Sequence, residues 1–178
     1  MRIIAVFLII SFSCNNGKPV TNNNFDTKTY FENEIKQLLT QDFGLLKTLT
    51  YNNNKDETNL SNPDWYKELA PFLEIDLTKP AYTGRFNIEK NNNSLIYTAK
   101  DKTTDIKKVT LNFNENGEVH AIEILISEIN NLYNSHKRLF YQSKIIFEIE
   151  GMQKVKLLEE AKYQVKGLIV NNRKSILP

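Results

Sequence analysis

Residues 109–126 read VTLNFNENGEVHAIEILI. Apolar and polar residues alternate on both sides of Asn116-Gly117. Period-two alternation is the pattern of a half-buried strand, and Asn-Gly between two such runs signals a hairpin. A two-residue turn would set Phe113 opposite His120, Leu111 opposite Ile122 and Val109 opposite Ile124. The apolar faces then coincide, as a sheet with one covered face requires.

The same alternation extends outward. Tyr82, Gly84, Phe86 and Ile88 share one face, as do Leu95, Tyr97 and Ala99 on the next run. Toward the C-terminus, Leu139, Tyr141, Ile145, Phe147 and Ile149 alternate with polar residues, and so do Val155, Leu157, Ala161, Tyr163, Val165 and Ile169. A three-residue loop at Gly151 would join these as one long hairpin, with Ile149 opposite Val155 and Tyr141 opposite Tyr163. Its outer face would then pair Glu150 with Lys154, Glu148 with Lys156 and Lys144 with Glu160.

N-terminal to the strands the spacing is helical. Phe31, Ile35, Leu38, Leu39, Phe43, Leu46 and Leu49 recur at three and four over residues 27–49. Thr29 with Glu32, or Asp26, supplies a cap. Asn62-Pro63 opens a second helical stretch with Trp65, Leu69 and Phe72, which Pro71 splits in two. The expected architecture is α+β: two N-terminal helices packed on a curved antiparallel meander of about six strands, a roll or half-barrel.

The chain has 178 residues, 40% of them apolar and 25% charged, which suits one globular domain and excludes a disordered chain. Lys and Arg number 23 against 21 Asp and Glu, for a net charge of +2. That balance gives no basis for nucleic-acid binding. A single cysteine, Cys14, excludes an intrachain disulfide and a paired-cysteine metal site.

Cys14 ends an apolar run. Arg2 precedes Ile3–Ile10, and Ser11-Phe12-Ser13 leads into the cysteine, which is the layout of a secretory signal. The run is shorter than the roughly 20 residues of a membrane-spanning helix. Three readings fit: a core cysteine behind a first strand, a signal peptide cut elsewhere, or a cysteine that is lipidated. Residues 1–14 resemble a bacterial lipoprotein signal in the relaxed form found in Bacteroidota, with Ser13 before the cysteine and Ser11 in place of the usual Leu-like residue. The resemblance implies removal of residues 1–13, acylation of Cys14, a polar tether over 14–26 and a domain over 27–178. Asn15 after the cysteine, with no acidic cluster following it, points to the outer membrane facing the periplasm.

No phosphate loop, zinc-protease or nucleophile-elbow motif occurs, so no enzyme is expected. Two histidines, His120 and His136, cannot fill a zinc shell by themselves. Asn112, Asn114, Asn116, Gly117 and Glu123 have the spacing of a calcium loop, but a hairpin would carry Glu123 about 20 Å from Gly117 at ~3.3 Å per residue. No metal and no cofactor is therefore expected. Glu159 falls on the apolar face of the last run, as do Tyr82, Tyr97, Tyr141 and Tyr163. These five are the candidate lining of a cavity, with a rim position as the simpler account of Glu159. The partners expected are a membrane, through the N-terminal lipid, and an envelope protein or apolar ligand.

Overall fold

The computed structural model describes residues 24–172. Helix α1 spans Thr27–Thr40, capped by Asp26, whose carboxylate accepts from the Thr29 amide at 2.9 Å. It places Phe31, Ile35 and Leu38 in the core. The helix stops well short of the expected residue 49. Asp42 takes φ +58, and the chain turns into strand β1, Phe43–Tyr51, and then β2, Asn54–Leu60. Two short helices follow, α2 at Trp65–Glu68 and α3 at Ala70–Leu73, divided at Leu69 with Pro71 in the first turn of the second. Asp64, rather than Asn62, caps α2.

The strands continue as β3, Phe86–Asn91; β4, Ser94–Ala99; β5, Ile106–Phe113; β6, Val119–Ile129; β7, Tyr133–Gln142; β8, Ile146–Val155; and β9, Ala161–Asn171. Among the described residues, nine strands form one antiparallel sheet in the order β2-β1-β9-β8-β7-β6-β5-β4-β3. The expected six-strand meander is thus seven strands long, β3 to β9. The β1–β2 hairpin joins it beside β9, with Leu45 opposite Ile169. The α+β class stands, and the helices cover one sheet face: the Phe31 ring meets Tyr141 at 5.3 Å and Phe72 meets Phe147 at 6.5 Å.

The β5–β6 hairpin keeps its expected partners from Leu111↔Ile122 through Val109↔Ile124. Its turn differs. Gly117 adopts φ +78, and the Asn114 amide donates to the Glu118 carbonyl at 2.9 Å, so the loop has three residues. Phe113 therefore pairs with Val119, and His120 is the extra residue of a bulge that restores the register at Asn112↔Ala121.

The hairpin expected at Gly151 does not form. Gly151 lies inside β8, and β8 turns elsewhere at both ends. A loop over residues 143–145, with Lys144 at φ +56, joins β7 to β8 and sets Tyr141 opposite Phe147. A loop over residues 156–160, with Leu157 at φ +71, joins β8 to β9 and sets Glu150 opposite Gln164. The three expected charge pairs dissolve with that register. Gly151 instead faces Tyr163, whose ring occupies the space a side chain would take: a Cβ there would fall 2.1 Å from Tyr163 Cζ. This is the arrangement by which an aromatic residue covers a glycine across a strand pair.

Candidate functional site

Because Tyr141 and Phe147 point to the helices, their strand neighbours point the other way. The pairing assembles these into rows across the helix-free face. One row runs Thr50, Gln164, Glu150, Arg138, Leu125. The next toward the loop end runs Lys162, Met152, His136, Ser127. On the other side lie Lys166, Glu148, Phe140 and Glu123. A trough of about 590 Å³ lies over the first two rows, with Leu125 and Met152 among its apolar lining and Lys107 and Lys162 among its cations.

Arg138 is the hub of the trough wall. Its Nε donates to Glu123 Oε1 at 2.6 Å, and Nη1 lies 3.4 Å from Glu148 and 3.6 Å from Glu150. The guanidinium sits 5.5 Å from the centre of the Phe140 ring. Lys166 reaches the other oxygen of Glu148 at 3.4 Å, and the Gln164 amide donates to Glu150 at 2.9 Å. Burial draws the Arg138 pKa down, but the surrounding carboxylates outweigh it and hold the guanidinium more firmly charged than usual. Arg138→Met should strand three carboxylates with one lysine. The expected loss is about 1 kcal/mol at neutral pH, modest because the groups are partly exposed. It should shrink in 1 M NaCl, which screens the repulsion. Urea denaturation at low and high salt checks this, and an equal loss at both would assign the effect to lost packing on Phe140.

The tyrosines expected to line a cavity mostly do not. Tyr97 and Tyr141 are buried under the helices, in a core they help to close. The Tyr97 hydroxyl accepts from the Phe25 amide at 3.1 Å. The Tyr82 hydroxyl donates to Asp105 at 3.0 Å, and burial, then this hydrogen bond, pushes its pKa up to about 12. Of the four, only Tyr163 lies at a trough position, and its ring turns to the opposite face, over Gly151 and against the core. Glu159 lies in the exposed loop between β8 and β9, so it lines nothing. That outcome follows from the shifted hairpin, which takes Glu159 off the strand. His136 is exposed on the trough edge. His120 is half-buried at its bulge, with Nδ1 enclosed and without a hydrogen-bond partner. Glu123, the last position of the calcium-like spacing, is bonded to Arg138. Cys14 lies outside the described residues.

Among the described residues one carboxylate is buried, and it lies where apolar periodicity alone does not single it out. Glu34 on α1 is 7% exposed and accepts from the Tyr141 hydroxyl at 2.8 Å and the Ser143 hydroxyl at 2.6 Å. Its signal was positional: residue 34 sits three after Phe31 and four before Leu38, on the apolar stripe itself. Arg138 was legible only as one of four arginines in the chain.

No protein-family model matches this chain. No curated protein matches its sequence. Among solved structures, it is similar to the S-type phycobiliprotein lyase CPES from Guillardia theta at 7% identity and a TM-score of 0.29, over 84% of this chain and 94% of that one. A likeness of that size carries no argument about function.

Proposed function

We propose that this is a lipid-anchored protein of the cell envelope, held by an acylated Cys14 at the outer membrane and facing the periplasm, whose domain binds a partner or ligand without transforming it. The trough on the helix-free face is the observation that carries the binding reading. Its volume falls in the range of ligand sites, and its wall combines apolar side chains with a few fixed polar ones. Its carboxylates are committed to Arg138, which fits recognition better than acid–base work. The anchoring reading rests on residues 1–14. Two acyl chains hold a protein stably at a bilayer where one does so only marginally.

The nine-stranded sheet is, in this proposal, a roll or half-barrel that does not close. A second reading, a carrier or chaperone for an apolar ligand, draws on Leu125 and Met152. The first is preferred because Tyr97 and Tyr141 lie in a closed core, whereas a carrier would hold such tyrosines around an open cavity.

Intact mass of the membrane-extracted protein tests the anchor. Residues 1–13 should be absent and Cys14 should carry acyl mass; an unmodified Cys14 or a retained Met1 refutes it. Cys14→Ala should move the domain to the soluble fraction or leave an unprocessed precursor. A pull-down from the protein's own envelope tests the binding, with the captured partner expected to be lost on Met152→Glu. Uptake of a dansylated fatty acid by the wild type but not by Met152→Glu would favour the carrier.

A further inference from the structure

Two loops meet at one end of the sheet, and both present aliphatic side chains to solvent. The 130–132 loop and its approach leave Ile129 and Leu132 each 70% exposed; the 156–160 loop leaves Leu157 97% and Leu158 66% exposed. The loops are tied together, since the Lys156 amide donates to the Leu132 carbonyl at 2.9 Å. They are also held in shape. Asn130 Oδ1 accepts from the amides of Leu132 and Tyr133 at 2.8 and 2.9 Å. Leu157 is held at φ +71, a left-handed conformation that a leucine rarely adopts, with its side chain touching almost nothing. Neither packing nor backbone preference accounts for a leucine there.

Hydrogen bonds connect Asn24, ahead of α1, to this end of the sheet. Asn24 Nδ2 donates to the carbonyls of Leu77 and Tyr82, and the Tyr82 hydroxyl donates to Asp105 at the start of β5. The Asp105 carbonyl in turn accepts from Ser127, close to the end of β6. Ten residue-to-residue steps join Cys14 to Asn24, which limits the span between them to roughly 35 Å. The opposite end of the sheet, with the 143–145 loop, lies about a further strand length away. Charges of both signs border the leucines: Lys154 and Lys156 on one side, Glu159 and Glu160 on the other, the last paired with Lys162 at 3.0 Å. The patch is apolar rather than cationic.

We infer that Ile129, Leu132, Leu157 and Leu158 form a second membrane contact, dipping into the headgroup–acyl boundary of the bilayer that holds the lipid anchor. The inference rests on the anchored reading for its location. It fixes how the domain stands: loop end down, with the trough's long axis, across the strands, parallel to the surface.

The test separates the contact from the anchor. The full-length mature chain, lipidated, is reconstituted in phosphatidylethanolamine–phosphatidylglycerol vesicles containing brominated lipid. The one native tryptophan, Trp65, is buried and serves as background. An indole introduced by Leu157→Trp should be quenched severalfold more than one introduced by Glu115→Trp at the far end, and 0.5 M salt should not abolish the difference. Equal quenching at both sites overturns the inference. In a second arm, the unlipidated chain carrying Cys14→Ala should partition weakly onto the same vesicles, at least tenfold less so when Leu157→Asp and Leu158→Asp are added. This arm stands even if Cys14 proves unmodified in the native protein. Partitioning unaffected by the two aspartates overturns the contact. So does a concentration-dependent dimer that they abolish, which would assign the leucines to a second copy of the chain.

Discussion

Gly167→Ala should lower stability by about 2–3 kcal/mol, a large effect for one added methyl group. Gly167 lies opposite Phe147, and a Cβ at residue 167 would fall 2.2 Å from Phe147 Cε1 and 2.3 Å from Cζ. The ring is fully buried and packs on Phe72, so it has no rotamer to escape into. Phe147→Ala alone should cost about 4 kcal/mol by opening a cavity. In the Phe147→Ala background, however, the added methyl at residue 167 meets open space and should cost nothing. The double-mutant cycle therefore has a coupling as large as the single Gly167→Ala effect. Urea denaturation of the four proteins measures it. Simple additivity would mean that the ring does not lie over residue 167.

Removing both hydroxyls that donate to Glu34 should cost about 3–4 kcal/mol, because Tyr141→Phe with Ser143→Ala leaves a buried carboxylate without its donors. The pair also carries a pH signature. Burial, followed by the charge of Glu34 and the hydrogen bond to it, raises the Tyr141 pKa above the ordinary tyrosine value. The folded domain thus keeps a proton that the unfolded chain gives up near pH 10. This contribution is complete below pH 10 and falls by about 1.4 kcal/mol per pH unit as pH rises toward the folded value. Tyr141→Phe removes that slope, so the variant should be less stable at pH 8 and converge on the wild type above pH 11. Chemical denaturation at pH 8, 10 and 11 checks it. Parallel curves would show that Tyr141 titrates alike in both states.

The hairpin around Gly117 was legible because its two strands bury one face each, so alternation survives in the sequence and fixes the register. β1 was not. Leu46 lies on the helix-free face beside Leu168, while Leu45 lies under the helices, so both faces carry leucine and alternation disappears. Phe43, Leu46 and Leu49 are left spaced at three, which imitates a helix. β2, with the sequence NKDETNL, is an edge strand whose charges discourage further pairing and give it no apolar signature. The true loops around β8 turn on Lys144 and Leu157, residues that do not announce a positive φ, while Gly151 announces a turn and supplies room for a ring instead. The trough was hidden for a related reason: its wall is made by register, and a hairpin shifted to Gly151 separates Arg138 from Glu150 and Glu148.

Strand β1 lies between β2 and β9, and its β9 partners are roughly 110 to 130 positions away, from Tyr51↔Tyr163 to Phe43↔Asn171. While the chain is being made, the β1–β2 hairpin can close locally, but one flank of β1 stays bare until β9 has emerged. Closure over so long a loop is slow relative to local pairing. Maturation of the domain is therefore timed by the arrival of β9 rather than proceeding from the front. A nascent chain halted before residue 161 would hold its N-terminal core residues beside an open strand flank, a template for pairing with other chains. Loss of the last eleven-residue strand should accordingly produce inclusion bodies rather than a smaller soluble domain.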